Sequence, residues 1–234
     1  MTVTVESLHE QGRSALLEGR ERHDTAPRDG DRRWGVSVLV RPQRELAERL
    51  DTVTGELAAL AGPGQWATGA RDSSHLTLYS LEPHRADVTA DDPVTARYVA
   101  ATARAAASIP PASFAVTGTS LTPGGVIAVC RPLDEGARLL RPVLNDALGG
   151  EVFEGAYRGD LWWVSLLHLA APVARAAALV EHVESHRDLP LGTLQATSLE
   201  VVRYEHDGRR MVPVALASAP LTGVPGGGRD GAHA

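Results

Sequence analysis

His75-Leu76-Thr77-Leu78 sets an imidazole and a hydroxyl two residues apart in an apolar stretch. On a strand alternate side chains share a face, so His75 and Thr77 should point with Ser73 and Tyr79, and Leu76 and Leu78 the other way. An imidazole moves protons near neutral pH and a hydroxyl donates to an oxyanion; together they suit binding and protonating a phosphate. A second imidazole, His168, stands in Leu161–Ala174 (LWWVSLLHLAAPVA) and should share its face with Leu166 and Ala170. Taken singly, either histidine reads better as a half-buried strand residue bonded to a backbone carbonyl, His168 the more so because a methyl group sits where a hydroxyl would be useful. Their placement as a pair carries the chemical reading.

The elements that must position them alternate along the chain. Gly35–Arg41 reads as a strand, Glu45–Ala61 as a helix ended by Gly62-Pro63-Gly64, and His75–Tyr79 as a strand. Pro93–Ser108 is an alanine-rich helix stopped by Pro110-Pro111, and Ser113–Thr119 a strand. The order then recurs: strand Val126–Arg131, helix Glu135–Leu148, strand Leu161–Leu169, helix Val173–His186, strand Ser198–Glu205. A last strand, Arg210–Leu216, returns across the turn His206-Asp207-Gly208, and Pro213 assigns it to a sheet edge. Each half is thus strand–helix–strand–helix–strand with a histidine on its middle strand, which predicts an α+β fold of two pseudo-symmetric α/β lobes around a central cleft.

Three segments follow. Residues 1–33 read as an appendage, a weakly amphipathic helix (Val5, Leu8, Leu16, Leu17) and a charged, solvated linker Arg20–Arg33; 34–221 form the bilobal domain; 222–234 read as a disordered tail. Net charge is −6, against a surface that tracks long nucleic acid, though a few local arginines can hold a small anion. All basic residues are arginine, a sign of GC-rich coding. The lone cysteine, Cys130, sits in an apolar run and is expected to be a buried, inert thiol. With no secretory apolar stretch and no segment long enough for a bilayer, a soluble cytoplasmic protein is the expectation.

Further candidates are thinner. Tyr79 could line the cleft or pack at the strand end, and Arg158 (Tyr157-Arg158-Gly159-Asp160) could reach an anion or stay solvated. Trp162 and Trp163 alternate faces, so one ring could meet a nucleobase while the other fills the core. His84, His182, His186 and His206 show no metal-site spacing, and no metal or cofactor is expected.

The paired motif resembles the 2H phosphoesterase superfamily, whose signature is two His-x-Thr/Ser motifs, one on a strand of each lobe. Residues 34–221 carry the likeness: His75-Leu76-Thr77-Leu78 matches the first motif fully, and His168-Leu169-Ala170 matches the second only at the histidine. The resemblance implies hydrolysis of a small cyclic phosphate or phosphodiester, 2′,3′-cyclic nucleotide-like. His75 and His168 would be acid and base in either order, with Thr77 and the Ala170 position against the substrate; Tyr79 and Arg158 are the further substrate-side candidates that the residues themselves offer. It implies no metal. Alternatives are a diverged protein of this fold that binds a small molecule or performs non-phosphate chemistry, and a scaffold whose N-terminal helix docks a partner.

Overall fold

The computed structural model describes residues 3–150 and 161–224. Arg158 and the tail beyond 224 lie outside the described residues. Among the described residues, eight strands form two four-stranded antiparallel sheets, in the orders β2-β1-β7-β8 and β5-β4-β3-β6. The strands are β1 (Ser37–Val40), β2 (Leu76–Ser80), β3 (Ala112–Thr122), β4 (Gly125–Pro132), β5 (Trp162–His168), β6 (Gly192–Ala196), β7 (Ser198–His206) and β8 (Met211–Pro220). The helices are α1 (Val5–Leu17), α2 (Arg44–Ala61), α3 (Pro93–Ser108), α4 (Glu135–Ala147) and α5 (Ala176–Ser185).

Local chemistry sets the ends of these elements. Asp92 accepts from the amides of Val94 and Thr95 ahead of Pro93, and Asp134 accepts from that of Ala137, so α3 and α4 start on carboxylate caps. Gly62, at φ 90°, closes α2 in a conformation that side chains rarely adopt. The β7–β8 hairpin turns through Asp207 and Gly208 (φ 92°) and leaves β8, with Pro213, on the sheet edge.

The two lobes are pseudo-symmetric, but the chain reaches them by exchange. The strand closing the first half, β3, pairs in the second sheet with β4 and β6; β7 and β8 return to pair with β1 in the first. In each sheet the strand with the candidate histidine is therefore an edge strand beside the one that opened its half. The edges β2 and β5 meet, and α3 packs behind the first sheet while α2 and α5 pack behind the second. β6 was not expected from the sequence: Gly-Thr-Leu-Gln-Ala has a single large apolar residue and is fixed by pairing with β3.

One apolar core runs through both lobes, with Leu50, Leu57, Leu76, Leu78, Phe114, Leu140, Leu166 and Leu167 fully enclosed. Cys130 is buried in it, and burial pushes its thiol up to about 12, an unreactive state at neutral pH. The helix α1 is not a free appendage. It lies on β3, with His9, Gly12, Ala15 and Leu16 buried, and Gly12 sits so close that a Cβ there would come within 2.7 Å of the Thr122 amide nitrogen. Among the described residues, no helix is long and apolar enough to cross a membrane.

Candidate active site

The two edge strands share an irregularity that decides which side chains face the cleft. In β2, Val38 pairs with Tyr79 and Leu39 with Thr77, so Leu78 is an extra residue; in β5, Val126 pairs with Leu167 and Ile127 with Ser165, so Leu166 is extra. A bulge puts two residues opposite one and flips the alternation beyond it. Before the bulge His75 and Thr77 face the cleft; after it Tyr79 turns inward and Ser80 takes the open face. On β5, Trp163 and Ser165 face the cleft before the bulge and His168 after it.

One offset in residue number relates Leu39 to Ile127, Thr77 to Ser165 and Leu78 to Leu166. The same offset maps His75 onto Trp163 and Ser80 onto His168. By register, then, the stretch of β5 equivalent to His75-Leu76-Thr77-Leu78 is Trp163-Val164-Ser165-Leu166, with a hydroxyl at the equivalent position and an indole where the first lobe has its histidine. This corrects two expectations. Ala170 does not occupy the motif's hydroxyl position: its amide donates to Gln65 Oε1 (3.0 Å) and its methyl packs on the cluster of Leu39, Trp66, Val202, Tyr204 and Met211. Tyr79 does not line the cleft: it is buried and its hydroxyl donates to the Arg141 carbonyl (3.1 Å). Of the two indoles, Trp162 packs on Phe114 in the core, and Trp163 lines the cleft.

His75 and His168 open onto the same cleft, of about 290 Å³, with Thr77, Ser80, Trp163 and Ser165. His75 is 6% exposed. Its Nδ1 lies 2.7 Å from the Ser73 carbonyl, so Nδ1 carries the proton and Nε2 accepts from the Tyr204 hydroxyl at 3.1 Å. Burial pushes its pKa down to about 4; Arg41 and His168 add to this, and the Ser73 carbonyl opposes it. It is neutral at physiological pH.

His168 has a different setting. The pair of hydrogen bonds between its backbone and that of Trp66 holds the end of β5, and its Nδ1 lies 2.9 Å from Asp24 Oδ2. Burial lowers its pKa, the Asp24 carboxylate works the other way, and Arg33 lowers it again. Trp34 stacks edge-on against both His168 (5.0 Å between centroids) and Tyr204 (5.4 Å), linking the two imidazole sites through aromatic rings. Trp34 has φ 66°, a conformation that bulky residues rarely take, and its carbonyl accepts from Nδ1 of buried His84 (3.0 Å).

The hydroxyls of Thr77 and Ser165 make no hydrogen bond among the described residues, and Arg22, also in the cleft wall, makes no ion pair there. Among the described residues the site thus offers two free hydroxyls, the guanidinium of Arg22, a neutral imidazole, and an imidazole facing a carboxylate and the Arg33 guanidinium. Among the described residues no three His, Cys, Asp or Glu side chains gather into a metal-binding group. Sequence reasoning missed Arg22, Asp24, Arg33, Trp34, Ser165 and Tyr204. Only Ser165 left a signal, the likeness of Trp-Val-Ser-Leu-Leu to His-Leu-Thr-Leu-Tyr.

Two edge strands meeting across a cleft, each bulged after a cleft-facing hydroxyl, belong to an α+β fold of the 2H phosphoesterase type. TT0787 of Thermus thermophilus superposes with a TM-score of 0.57 at 19% identity, covering 80% of this chain and 98% of that one. E. coli LigT complexed with 3′-AMP gives 0.53 at 15% identity, over 84% and 99%. A protein described as a phosphoesterase gives 0.51 at 14%, over 84% and 99%. No protein-family model matches the sequence, and no curated protein does.

Proposed function

We propose that this chain hydrolyses a small cyclic phosphate or phosphodiester, 2′,3′-cyclic nucleotide-like, by two-imidazole acid–base catalysis. The observation that carries the reading is the pair of unengaged hydroxyls, Thr77 and Ser165, on equivalent cleft-facing positions of the two lobes beside Arg22 and two imidazoles. Hydroxyls and a guanidinium lining one cleft suit the oxygens of a phosphate, which gain charge in the transition state.

Neutral His75 is the base. Its Nε2 takes a proton from the attacking water, in the place now held by the Tyr204 hydroxyl. The water oxygen bonds to phosphorus, the bond to the leaving ribose oxygen breaks, and His168 Nε2 supplies that oxygen's proton. His168 is the acid because, of the two imidazoles, it alone has a carboxylate against it. A bound phosphate anion raises the His75 pKa from its value in the empty cleft and makes it a stronger base. The mechanism needs no metal. The LigT structure with 3′-AMP supports a nucleotide-sized occupant.

Turnover of 2′,3′-cyclic nucleotides, with and without chelator, tests the reading. Each of His75→Ala and His168→Ala should lose roughly 10²–10⁴ in kcat, and chelator should change nothing. Full turnover in either variant, or loss on chelation, refutes it. A second reading, nucleotide binding without cleavage, draws on Trp163, an indole where the first lobe has its motif histidine. Tight cyclic-nucleotide binding with no product would select it.

A further inference from the structure

The sheets supply two sides of the cleft, and a third comes from ahead of β1. Between α1 and β1 the chain runs as a strap, residues 18–34, tied to both lobes. The Arg22 amide donates to the Pro123 carbonyl (2.7 Å) and the Asp24 amide to the Leu169 carbonyl (2.6 Å), both in the second lobe. The Gly30 amide donates to the His84 carbonyl (2.9 Å), and Asp29 Oδ1 accepts from the Ala86 amide (2.9 Å), both beyond β2 in the first. A segment charged enough to read as a solvated linker is thus seated in the structure by its backbone. Solved structures of this fold match 98–99% of their own length to only 80–84% of this chain, so the chain carries more than the shared fold.

What the strap brings to the site is Asp24, whose side chain is 12% exposed. Its carboxylate lies between two cations: Oδ1 pairs with Arg33, and Oδ2 faces His168 Nδ1 at 2.9 Å. We propose that Asp24 is a positioning residue for His168, and that the strap is a working part of the active site rather than a linker. This deepens the two-imidazole reading and rests on it for the role of His168. A carboxylate 2.9 Å from Nδ1 favours a proton on that nitrogen, which leaves Nε2 as the nitrogen to serve the cleft, and it balances the imidazolium when Nε2 is also protonated. Tyr204 gives His75 no such help, because a neutral phenol cannot balance an imidazolium.

Arg33 sets the opposing influence, with Nη2 3.4 Å from His168 Nδ1. Among the described residues, the other charged or titratable groups lining the cleft are Arg22 on the strap and His75 and Tyr204 from the first lobe. Removing the Asp24 charge leaves His168 facing Arg33 uncompensated, and removing the Arg33 charge leaves it facing a carboxylate alone. The two substitutions must therefore move His168 in opposite directions. A strap that merely braces the fold would move neither.

The test uses the full chain with Asp24→Asn, Asp24→Glu and Arg33→Gln. The His168 imidazole is titrated by NMR, and kcat on 2′,3′-cyclic AMP is followed against pH. In Asp24→Asn the His168 pKa should fall by roughly 1–3 units, the alkaline limb of the pH profile should move down with it, and kcat at neutral pH should drop by roughly tenfold or more. Asp24→Glu should recover part of both, and Arg33→Gln should move the His168 pKa and the alkaline limb upward. An unaltered titration in Asp24→Asn overturns the proposal. If that variant misfolds, Arg33→Gln decides: a His168 pKa that fails to rise overturns it as well. Opposite shifts in a protein that cleaves no cyclic phosphate would leave Asp24 as the partner of His168 while removing phosphodiester hydrolysis as the function.

Discussion

His75–Ser80 on β2 and Trp163–His168 on β5 occupy equivalent stretches of two equivalent strands, yet they share little of their chemistry. The backbone event is the same: a cleft-facing hydroxyl, then an inserted leucine that is wholly buried, then a reversal of faces. The imidazole is not. In the first lobe it stands before the hydroxyl, closed in by a carbonyl and a phenol; in the second it stands beyond the bulge, against a carboxylate and a guanidinium. What both lobes share is a hydroxyl on a fixed backbone; under the proposed function, holding an anion then constrains the cleft more tightly than the position of the proton carriers does. An imidazole needs only to reach the cleft, from either side of a bulge.

If the hydroxyls are the shared function, they should fail alike. Thr77→Val and Ser165→Ala each remove one donor to a phosphate oxygen that gains charge, and each should cost roughly 10²–10³ in kcat, about 2.7–4 kcal/mol. Steady-state kinetics on a cyclic nucleotide checks this. A large loss at Thr77 with none at Ser165 would break the equivalence of the lobes, whatever their backbone register.

The histidines should differ instead in how they tie stability to pH. The folded His75 pKa of about 4 lies below its unfolded value of 6.5, so the unfolded chain binds the extra proton between those limits. The contribution of His75 is present above pH 6.5 and is lost as pH falls towards 4, by about 3 kcal/mol. Urea unfolding at stepped pH should show the loss, and His75→Gln should remove that part of the slope. For His168, Asp24 opposes the burial that lowers its pKa, so Asp24→Asn should steepen the dependence.

Trp163 gives a smaller contrast. If its indole serves the substrate in place of the missing histidine, it should do so by stacking. Trp163→Ala should then weaken a 2′,3′-cyclic nucleotide by roughly 1–3 kcal/mol while sparing a ribose cyclic phosphate that lacks the base. Calorimetric titration of both ligands measures the difference. Equal losses would assign the indole to the cleft wall alone.

Much of the architecture was legible in the sequence because it rests on local periodicity and caps. The helices at 44–61, 93–108 and 135–147 and both histidine strands follow from apolar spacing, an aspartate or a glycine at an end. Strand partners were not, since β3 leaves its own half for the other sheet and nothing in Ala112–Thr122 encodes that choice. The site was legible as far as strict alternation holds. His75 and Thr77 precede the bulge in β2, so their shared face follows from period two; Tyr79 and Ser80 follow it, and there the period misleads. Asp24 left no trace, because its role depends on where a polar strap crosses the second lobe.

The smallest expected effect is also the one on which sequence and structure disagree most directly. Counted from His168 by the His-x-Thr spacing, Ala170 is the missing hydroxyl, and Ala170→Ser would restore a donor to the phosphate. In the structure β5 ends at His168, and the chain has turned away by Ala170, whose amide is held by Gln65 and whose methyl meets Trp66 and its neighbours. A hydroxyl added there meets an apolar cluster instead of a phosphate oxygen. Ala170→Ser should therefore leave kcat unchanged and cost a little stability, since a polar group without a partner is poorly accommodated against apolar neighbours. Paired assays of Ala170→Ser and Ser165→Ala decide between the two placements. A gain in the first with no loss in the second would return the second motif to His168-Leu169-Ala170 and make the shared bulge irrelevant to chemistry. The opposite result places both phosphate-facing hydroxyls immediately before their bulges, one from each lobe.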